Sequence, residues 1–393
     1  MGVLSSLRVL DFSVLLPGPF ASLMLADLGA DVVRVENPGQ FDLVRSFPPF
    51  DGESSAAHAY LNRSKRSLAL DLKRPESAEI VKRLVQKHDI VLESFRPGVM
   101  DRLGVGYAAL KAANPRIIYC ALTGYGQTGP LRDRAGHDIN YLALSGVMSH
   151  SGRKASGPAP QGCQVADIGG GGCNALAGIL AAVIHRQQSG EGQFVDISMF
   201  DGALTWNMFA ATQALTGGES PGCESMPLNG GSVYDYYRTH DGRYLAVGSL
   251  EPRFWLGFCE AIGRPDLAAR LEMPGPRMDA LKDEIRFVIA QRTLDEWTST
   301  FAGRDVCVEP VLSVGEALAH PQTAAREMVV NVPKPDGATQ PQLGCPIIFS
   351  GSEAEYRHVG AQMGAHTEEV LRETGYTDGE IQRFREEGLF GPA

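Results

Sequence analysis

The chain has 393 residues, a net charge of −10 and an ordinary globular composition, which is enough for two domains with sizeable cores. The acidic balance argues against a nucleic-acid partner, because phosphate backbones are bound by clustered lysine and arginine. The seven cysteines are scattered and lack the C-x-x-C or Cys/His spacing of a metal site, so we expect reduced thiols, no metal and a cytoplasmic location.

The first part of the chain alternates strand and helix patterns. Short apolar runs predict strands at 8–12, 31–36, 67–72, 90–93 and 116–122. Between them, amphipathic segments predict helices at 20–28, 77–87 and 107–114. Strands that alternate with helices are typical of a parallel sheet covered on both faces. The sequence therefore predicts an α/β domain with a Rossmann-like sheet.

A run of four glycines, 169–172, follows Asp167 and precedes a long apolar stretch. We predict that the glycines introduce a buried helix at 173–187, followed by a strand at 194–199 and a helix at 201–214. No apolar run is expected to approach the ~20 residues of a bilayer-spanning helix. Because the N-terminus also lacks the pattern of a secretory signal, we expect a soluble protein without a membrane partner.

The segment 216–225 is rich in small and polar residues and is the predicted domain boundary. Beyond it, 234–248 has the pattern of a β-hairpin that turns at Asp241 and Gly242. Helical segments follow to about residue 319, and the tail at 366–387 is again helix-like. The second half therefore predicts a smaller α+β domain.

The first strand–helix–strand unit ends in Glu36, an acidic residue that would hold a ribose in a nicotinamide-binding unit. The turn at 13–19, however, reads Ser-Val-Leu-Leu-Pro-Gly-Pro and has no G-x-G-x-x-G. Without those glycines the backbone N–H groups cannot approach a pyrophosphate closely enough to bind it. The unit is therefore interpreted as scaffold, and the dehydrogenase hypothesis is disfavoured.

Several segments, in sequence order, carry a resemblance to a known family: 28–36, 95–99, 124–130 with 135–141, 165–171 and 301–311. Together they resemble the class III CoA-transferase (CaiB/BaiF) family, and most nearly its α-methylacyl-CoA racemases. The resemblance implies an acyl-CoA thioester substrate, with coenzyme A as part of the substrate and no permanently bound cofactor. It also implies an interlocked homodimer of chains with a large α/β domain (1–215), a small inserted domain (225–330) and a C-terminal return to the large domain (331–393).

A racemase acting at the carbon beside a thioester needs two acid/base groups on opposite faces of that carbon. His137 and Asp167 stand in Ala-Gly-His-Asp-Ile-Asn-Tyr and Asp-Ile-Gly-Gly-Gly, which are similar to the segments that supply this pair in the racemases. Histidine titrates near neutrality, and partial burial would raise the pKa of Asp167. Glu251 resembles the glutamate that orients the catalytic histidine, and in an interlocked dimer it would come from the partner chain.

Both acid/base residues have a simpler interpretation. Asp167 stands before the glycine run, where free backbone N–H groups would stabilise the oxyanion of an enolate or tetrahedral intermediate, and its simpler interpretation is a helix N-cap. His137 would be a hydrogen-bonded loop histidine. The resemblance favours catalysis over these alternatives.

The CoA handle needs contacts away from the reacting carbon. Arg34, Lys73, Arg96 and Arg63 are the predicted contacts to its phosphates, although each could instead be a surface charge. The remaining positions that the resemblance assigns to CoA are Leu72, Gly124, Tyr125 and Tyr141.

Two further functions stay open. In a CoA-transferase of the same family, Asp167 would attack the acyl-CoA and form an anhydride and then an aspartyl-CoA thioester. Many such transferases have an aromatic residue in place of His137, and a glycine-rich loop where this chain has Glu251 followed by proline, so both features favour the racemase. The segment 51–67, in contrast, looks like the longer transferase segment. A non-catalytic CoA-binding subunit is the third hypothesis, and the presence of both acid/base residues and Glu251 argues against it.

Overall fold

The computed structural model describes residues 2–391, and the chain divides into two compact units. The first unit takes in the chain up to Tyr141, Cys163–Ala203 and the chain from Pro321 onward. The second unit comprises Leu142–Gly162 and Leu204–His320. Each unit has its own core of buried apolar side chains. A chain of this length is expected to build two cores rather than one.

Among the described residues, the first unit is built around a six-stranded parallel sheet. In chain order, the strands up to residue 198 are β1 (Arg8–Asp11), β2 (Asp31–Glu36), β3 (Phe50–Asp51), β4 (Ser54–Ser55), β5 (Lys65–Ala69), β6 (Ile90–Glu93), β7 (Ile118–Thr123) and β8 (Phe194–Ser198). The sheet order is β5-β2-β1-β6-β7-β8, with every neighbouring pair parallel, and β3 and β4 form a separate short hairpin. When the six strands of this sheet are numbered by their order in the chain, leaving out β3 and β4, the order becomes 3-2-1-4-5-6. This is the strand order of doubly wound folds. The predicted α/β class with a parallel sheet is confirmed.

Helices cover this sheet. Up to residue 205 they are α1 (Pro17–Asp27), α2 (Ala56–Leu61), α3 (Pro75–Val85), α4 (Val99–Arg102), α5 (Tyr107–Ala113), α6 (Asp138–Leu144), α7 (Asn174–Ser189) and α8 (Met199–Thr205), with a 3₁₀ turn at Leu43–Ser46. Both α1 and α3 begin with proline, whose fixed φ and missing N–H suit the first helical position. Helix α3 is amphipathic and buries Ile80, Val81 and Leu84 in the core beside the sheet.

The glycine run lies inside a helix, whereas we predicted that it would precede one. A π-helix covers Ala166–Cys173 and continues into α7. The glycines permit close packing: a Cβ on Gly170 would lie 3.0 Å from the Met199 carbonyl oxygen, and one on Gly172 would lie 2.9 Å from the Phe20 ring. The predicted start of the helix is therefore wrong, because these glycines serve packing despite their poor helix propensity.

The π-helix and α7 together form one helix of 24 residues, Ala166–Ser189, which is long and apolar enough to cross a membrane. The prediction that no apolar run approaches that length is therefore wrong. Length and composition of this kind are equally those of a core helix, and Ile179 and Ala182 are buried in the first unit. Ala181 and Ile184 are exposed, so the helix is buried on one side rather than fully.

The second unit is a small sheet with helices packed against it. In chain order its elements are α9 (Met208–Gly217), β9 (Asp235–Arg238), β10 (Tyr244–Val247), α10 (Pro252–Ala261), α11 (Pro276–Ile289), α12 (Leu294–Phe301), β11 (Val308–Pro310) and α13 (Val314–Ala319). The sheet is antiparallel in the order β11-β10-β9. The predicted hairpin is confirmed as β9 and β10, with Gly242 in the left-handed region that such a turn requires. Trp255, Phe258 and Trp297 lie in its core.

The rest of the chain belongs to the first unit. Its elements are α14 (Pro321–Ala325), β12 (Val329–Pro333), β13 (Thr339–Leu343), α15 (Thr367–Glu373) and α16 (Asp378–Glu386). Strands β12 and β13 form an antiparallel hairpin that the sequence did not predict. Leu371, Ile381 and Phe384 of the last two helices share a core with the large sheet.

Candidate active site

The order of the parallel sheet reverses between β1 and β6, and open sheets of this kind bind ligands beyond the carboxyl ends of the strands at that point. The loop after β1 contains Leu15, a residue other than glycine with a φ of 64°. The neighbouring Val14 donates its N–H to the Ser94 hydroxyl in the loop after β6, at 3.2 Å. Strained backbone of this kind tends to lie at functional sites, so the region between the loops after β1 and β6 is the candidate ligand-binding site.

Four of the residues predicted to contact CoA follow strands at this edge of the sheet. Leu72 and Lys73 follow β5, Arg96 follows β6, and Gly124 follows β7. The carboxyl ends of parallel strands meet at one edge, so these residues share it. Lys73 and Arg96 are exposed, and both can therefore meet a phosphate.

Arg34 and Arg63 differ from these, because both guanidinium groups are buried and paired. Arg34 lies within β2, and its Nη2 is 2.5 Å from a carboxylate oxygen of Asp42. Arg63 donates to both carboxylate oxygens of Asp27, at 2.8 and 2.6 Å. A phosphate contact from either arginine would require these buried pairs to open.

His137 immediately precedes α6, and its backbone forms the start of that helix. Its N–H donates to the Asn140 side chain at 3.0 Å, while its carbonyl oxygen accepts the Asn140 N–H at 2.8 Å. The imidazole itself is exposed and has no hydrogen-bond partner within residues 2–391. The alternative of a histidine held by a side-chain hydrogen bond in a loop therefore does not describe this residue.

Asp138, which follows His137, links its helix to the segment that carries Asp167. One carboxylate oxygen of Asp138 accepts the N–H groups of Ala166 and Asp167, at 2.7 and 3.1 Å. Burial, and then the negative charge of Asp138, raise the pKa of Asp167 from its ordinary 3.8 to about 7. At neutral pH this carboxyl group is thus divided between its protonated and ionised forms.

This arrangement corrects the N-cap interpretation of Asp167 and also the expectation of free backbone N–H groups beside it. The cap at the start of the helix comes from Asp138 and not from Asp167, which lies within the first turn. The N–H groups of Ala166 and Asp167 are taken by Asp138, and that of Ile168 is taken by the Gln164 carbonyl oxygen at 2.9 Å. These three amides are therefore not free to stabilise an oxyanion.

Two tyrosines, Tyr125 and Tyr141, pack against each other, and Tyr141 lies beside Asp167. The rings of Tyr125 and Tyr141 meet edge to face with centroids 5.2 Å apart, and the Tyr141 hydroxyl donates to the Gly136 carbonyl oxygen at 2.5 Å. A Cβ on Gly124 would lie 2.6 Å from the Tyr141 side chain, which explains a glycine there. Burial, and then the charge of Asp167, raise the pKa of Tyr141. The structure thus brings Gly124, Tyr125, Tyr141 and Asp167 together, as one cluster in the first unit.

Glu251 belongs to the second unit. It is exposed at the N-cap position of α10, where its carbonyl oxygen accepts the Trp255 N–H at 2.9 Å and its carboxylate caps no helix N–H group. Its predicted action on His137 stays a prediction.

The sequence interpretation missed Asp138. The sequence contains one indication of its importance, the position directly after His137. The two amides that its carboxylate binds lie 28 and 29 residues further along the chain, where no local pattern connects them to it. It also missed Glu93, at the end of β6, where burial in particular raises the pKa to about 8 and the carboxylate accepts the Phe95 N–H at 2.7 Å. No cluster of histidine, cysteine, aspartate or glutamate that could hold a metal is found among residues 2–391.

Comparison with known proteins gives a consistent picture. The model of CoA-transferase family III matches residues 4–367. The chain is 37% identical to human α-methylacyl-CoA racemase over 391 residues, covering 98% of this chain and 97% of that protein. It is 36% identical to succinate–glutarate CoA-transferase of Agrobacterium fabrum over 385 residues, covering 94% and 95%. A crystal structure of a CaiB/BaiF family protein from Brucella suis superposes with a TM-score of 0.83 at 30% identity, covering 95% of this chain and 99% of that one.

Proposed function

The chain belongs to CoA-transferase family III, and we propose that it is an α-methylacyl-CoA racemase that inverts the carbon next to the thioester. The proposal rests on one observation. The carboxyl group of Asp167 has a pKa of about 7, and the backbone N–H of this residue is hydrogen-bonded to Asp138 of α6, the helix that His137 immediately precedes. A reversible exchange of a proton between two faces needs one acid/base group on each side of the reacting carbon.

In the proposed reaction His137 removes the α-proton from one face, and protonated Asp167 returns a proton to the other. Inversion in the opposite direction uses ionised Asp167 as the base and the imidazolium of His137 as the acid. A pKa near 7 keeps a useful fraction of Asp167 in each form, so that neither direction depends on an uncommon protonation state. The charge of Asp138 supports this balance, because it disfavours ionisation of Asp167.

The CoA handle supplies binding energy away from the reacting carbon. We propose that Lys73 and Arg96 bind its phosphates, since both are exposed and follow strands, β5 and β6, whose carboxyl ends lie at the same edge of the sheet. Arg34 and Arg63 are better described as buried ion-pair residues that stabilise the first unit.

A CoA-transferase is the second candidate, and similarity favours it nearly as much. The identity to succinate–glutarate CoA-transferase, 36%, is almost the same as the 37% identity to the racemase. In that reaction ionised Asp167 would attack the thioester carbonyl as a nucleophile. A pKa of about 7 leaves part of Asp167 protonated at neutral pH, which suits a proton carrier better than a nucleophile.

The test uses single enantiomers of a 2-methylacyl-CoA in heavy water with the His137→Ala and Asp167→Ala variants. In a two-base racemase, loss of one base stops inversion but leaves α-deuterium exchange from the face that the other base serves. We therefore expect each variant to exchange only one enantiomer, and the two variants to exchange opposite ones. Asp133→Ala, in an exposed loop near His137, is the matched control. Racemisation that survives the Asp167→Ala change contradicts the proposal.

We also propose a homodimer, in which the chains interlock. In the second unit, Trp206, Met208, Phe209 and Leu215 are between 50% and 86% exposed. Apolar side chains at this density are typical of a surface that another chain covers. Light scattering at micromolar concentration should give twice the mass of the chain, and a monomer would contradict this proposal.

A further inference from the structure

Glu93 is a buried acidic residue of the first unit that the proposed reaction does not use. It ends β6, the strand beside β1 at which the order of the sheet reverses, and it is only 5% exposed. Burial of a carboxyl group costs free energy unless hydrogen bonds replace those lost from water. The contacts of this carboxyl group therefore indicate what it does.

The Glu93 carboxyl group holds the first residues of the loop after β6. One of its oxygens accepts the Phe95 N–H, two residues further along the chain, at 2.7 Å. It also accepts a hydrogen bond from the hydroxyl of Tyr119, a buried residue of β7. The Phe95 ring packs against the core that contains Tyr119. One side chain thus fixes the start of the loop to two neighbouring strands.

The other side of the loop is closed by a turn over residues 96–99. The Arg96 carbonyl oxygen accepts the Val99 N–H at 3.1 Å, with Pro97 and Gly98 between them. Gly98 has a φ of 77° and a ψ of −1°, the values of the third residue of a type II turn, and proline is common at the second. Pro97 is itself buried. The backbone of Arg96 therefore lies between two local hydrogen bonds.

The side chain of Arg96, in contrast, is exposed, and no hydrogen bond or ion pair to its guanidinium group is found within residues 2–391. Arg34 and Arg63 differ in this respect, because buried carboxylates pair with both. A fixed backbone that carries a free guanidinium group suits the binding of a phosphate, since less conformational freedom is lost when the ligand arrives.

The protonation of Glu93 is compatible with an anionic ligand nearby. Burial in particular raises its pKa to about 8, so most of this carboxyl group is protonated at neutral pH. A protonated carboxyl group keeps an acceptor oxygen for the Phe95 N–H and adds no negative charge that would repel a phosphate. Glutamine has the same acceptor and nearly the same shape, which makes Glu93→Gln a close mimic of this form.

We propose that Glu93 is a positioning residue, which fixes the backbone before Arg96 so that the guanidinium group meets the CoA phosphates in one orientation. This inference rests on the proposed contact between Arg96 and those phosphates, and it applies to a racemase and to a CoA-transferase alike. Glu93 acts through Arg96 and not on the reacting atoms.

The test is a double-mutant cycle of Glu93→Leu and Arg96→Ala, in which calorimetry measures the affinity of the full chain for free CoA at neutral pH. Arg96→Ala should weaken CoA binding at least about tenfold, because it removes a charge-assisted contact. Glu93→Leu should weaken it about three- to tenfold, the cost of ordering one mobile side chain on binding. The double variant should bind CoA no more weakly than Arg96→Ala alone, because Glu93 acts only through that arginine.

Further variants separate positioning from stability. Glu93→Gln keeps an acceptor for the Phe95 N–H and should bind CoA like the wild type. Asn114→Leu is the matched control, because the Asn114 amide donates to the Val85 and His88 carbonyl oxygens, at 2.7 and 3.2 Å, near the amino end of β6. It should lower the urea midpoint and leave CoA affinity unchanged. If Glu93→Leu does not fold, Glu93→Asp, whose carboxyl group is one methylene further from the Phe95 N–H, replaces it in the cycle.

Three results would overturn the inference: wild-type CoA affinity in the folded Glu93→Leu or Glu93→Asp variant, losses that add in the double variant, or Glu93→Gln binding as weakly as Glu93→Leu. Unchanged affinity in Arg96→Ala overturns the phosphate contact and this inference with it, whereas a loss confined to Arg96→Ala overturns only the role of Glu93. None of these results depends on α-deuterium exchange, which tests the reaction separately.

Discussion

Replacing Asp167 with asparagine should make the protein more stable than the wild type at alkaline pH, but not at acid pH. Burial and the charge of Asp138 raise the pKa of Asp167 from 3.8 to about 7 in the folded chain. A raised pKa means that the protonated form stabilises the fold. That contribution is complete below pH 3.8 and is lost as the pH rises through 7.

The magnitude follows from the two pKa values. The difference between 3.8 and about 7 corresponds to ~4 kcal/mol as an upper limit. Because Asp167 is only partly buried, solvent screens its charge, and we expect ~2 kcal/mol in practice. Asparagine has nearly the same shape and no charge, so it avoids this loss above pH 7.

Urea denaturation followed by circular dichroism at pH 5 and pH 8.5 measures the effect. The Asp167→Asn variant should gain on the wild type between these two values. Asp133→Asn, which removes an exposed loop carboxylate, controls for the change in net charge. An Asp167→Asn variant whose stability relative to wild type is the same at both pH values would refute the reasoning.

Three further predictions concern named contacts. Asp138→Asn keeps an oxygen for the two amide bonds but removes the charge, so the pKa of Asp167 should fall in a carboxyl NMR titration while staying above 3.8 because of burial; an unchanged value contradicts the part assigned to Asp138. Gly202→Ala places a methyl group against the backbone of the glycine run and should destabilise the fold by ~3 kcal/mol in urea, whereas a neutral effect would show that the packing can relax. Arg63→Met leaves Asp27 buried and unpaired, and should cost ~3–5 kcal/mol; a wild-type urea midpoint would contradict a buried pair.

The parallel sheet was predictable because its strands are buried on both faces and therefore read as continuous apolar runs. Ile90–Glu93 and Ile118–Thr123 are fully buried strands of this kind. The hairpin of Val329–Pro333 and Thr339–Leu343 was not predicted, because its residues are mostly exposed and the second strand is polar with a proline. Hydrophobic patterns in a sequence therefore predict buried strands well, and they do not predict strands whose residues are mostly exposed.

The site was predictable in part. His137 and Asp167 were proposed from their motifs, but the contact of Asp138 with the Asp167 segment joins residues almost 30 positions apart, which no local pattern contains. Arg34 was predicted to bind a phosphate, yet it lies within β2, and Asp42 from the following loop forms an ion pair with its guanidinium group. Both facts arise from tertiary contacts, which composition and spacing do not record.

The central claim is that the protein exchanges a proton at the carbon beside a thioester. The most direct test incubates one enantiomer of a 2-methylacyl-CoA with the wild-type chain in heavy water. The α-carbon is then followed by NMR and mass spectrometry. The racemase proposal predicts one deuterium at that carbon, together with loss of optical purity. An unlabelled substrate of unchanged chirality, with CoA moved to an added carboxylate, would contradict it and make Asp167 the nucleophile of a CoA-transferase.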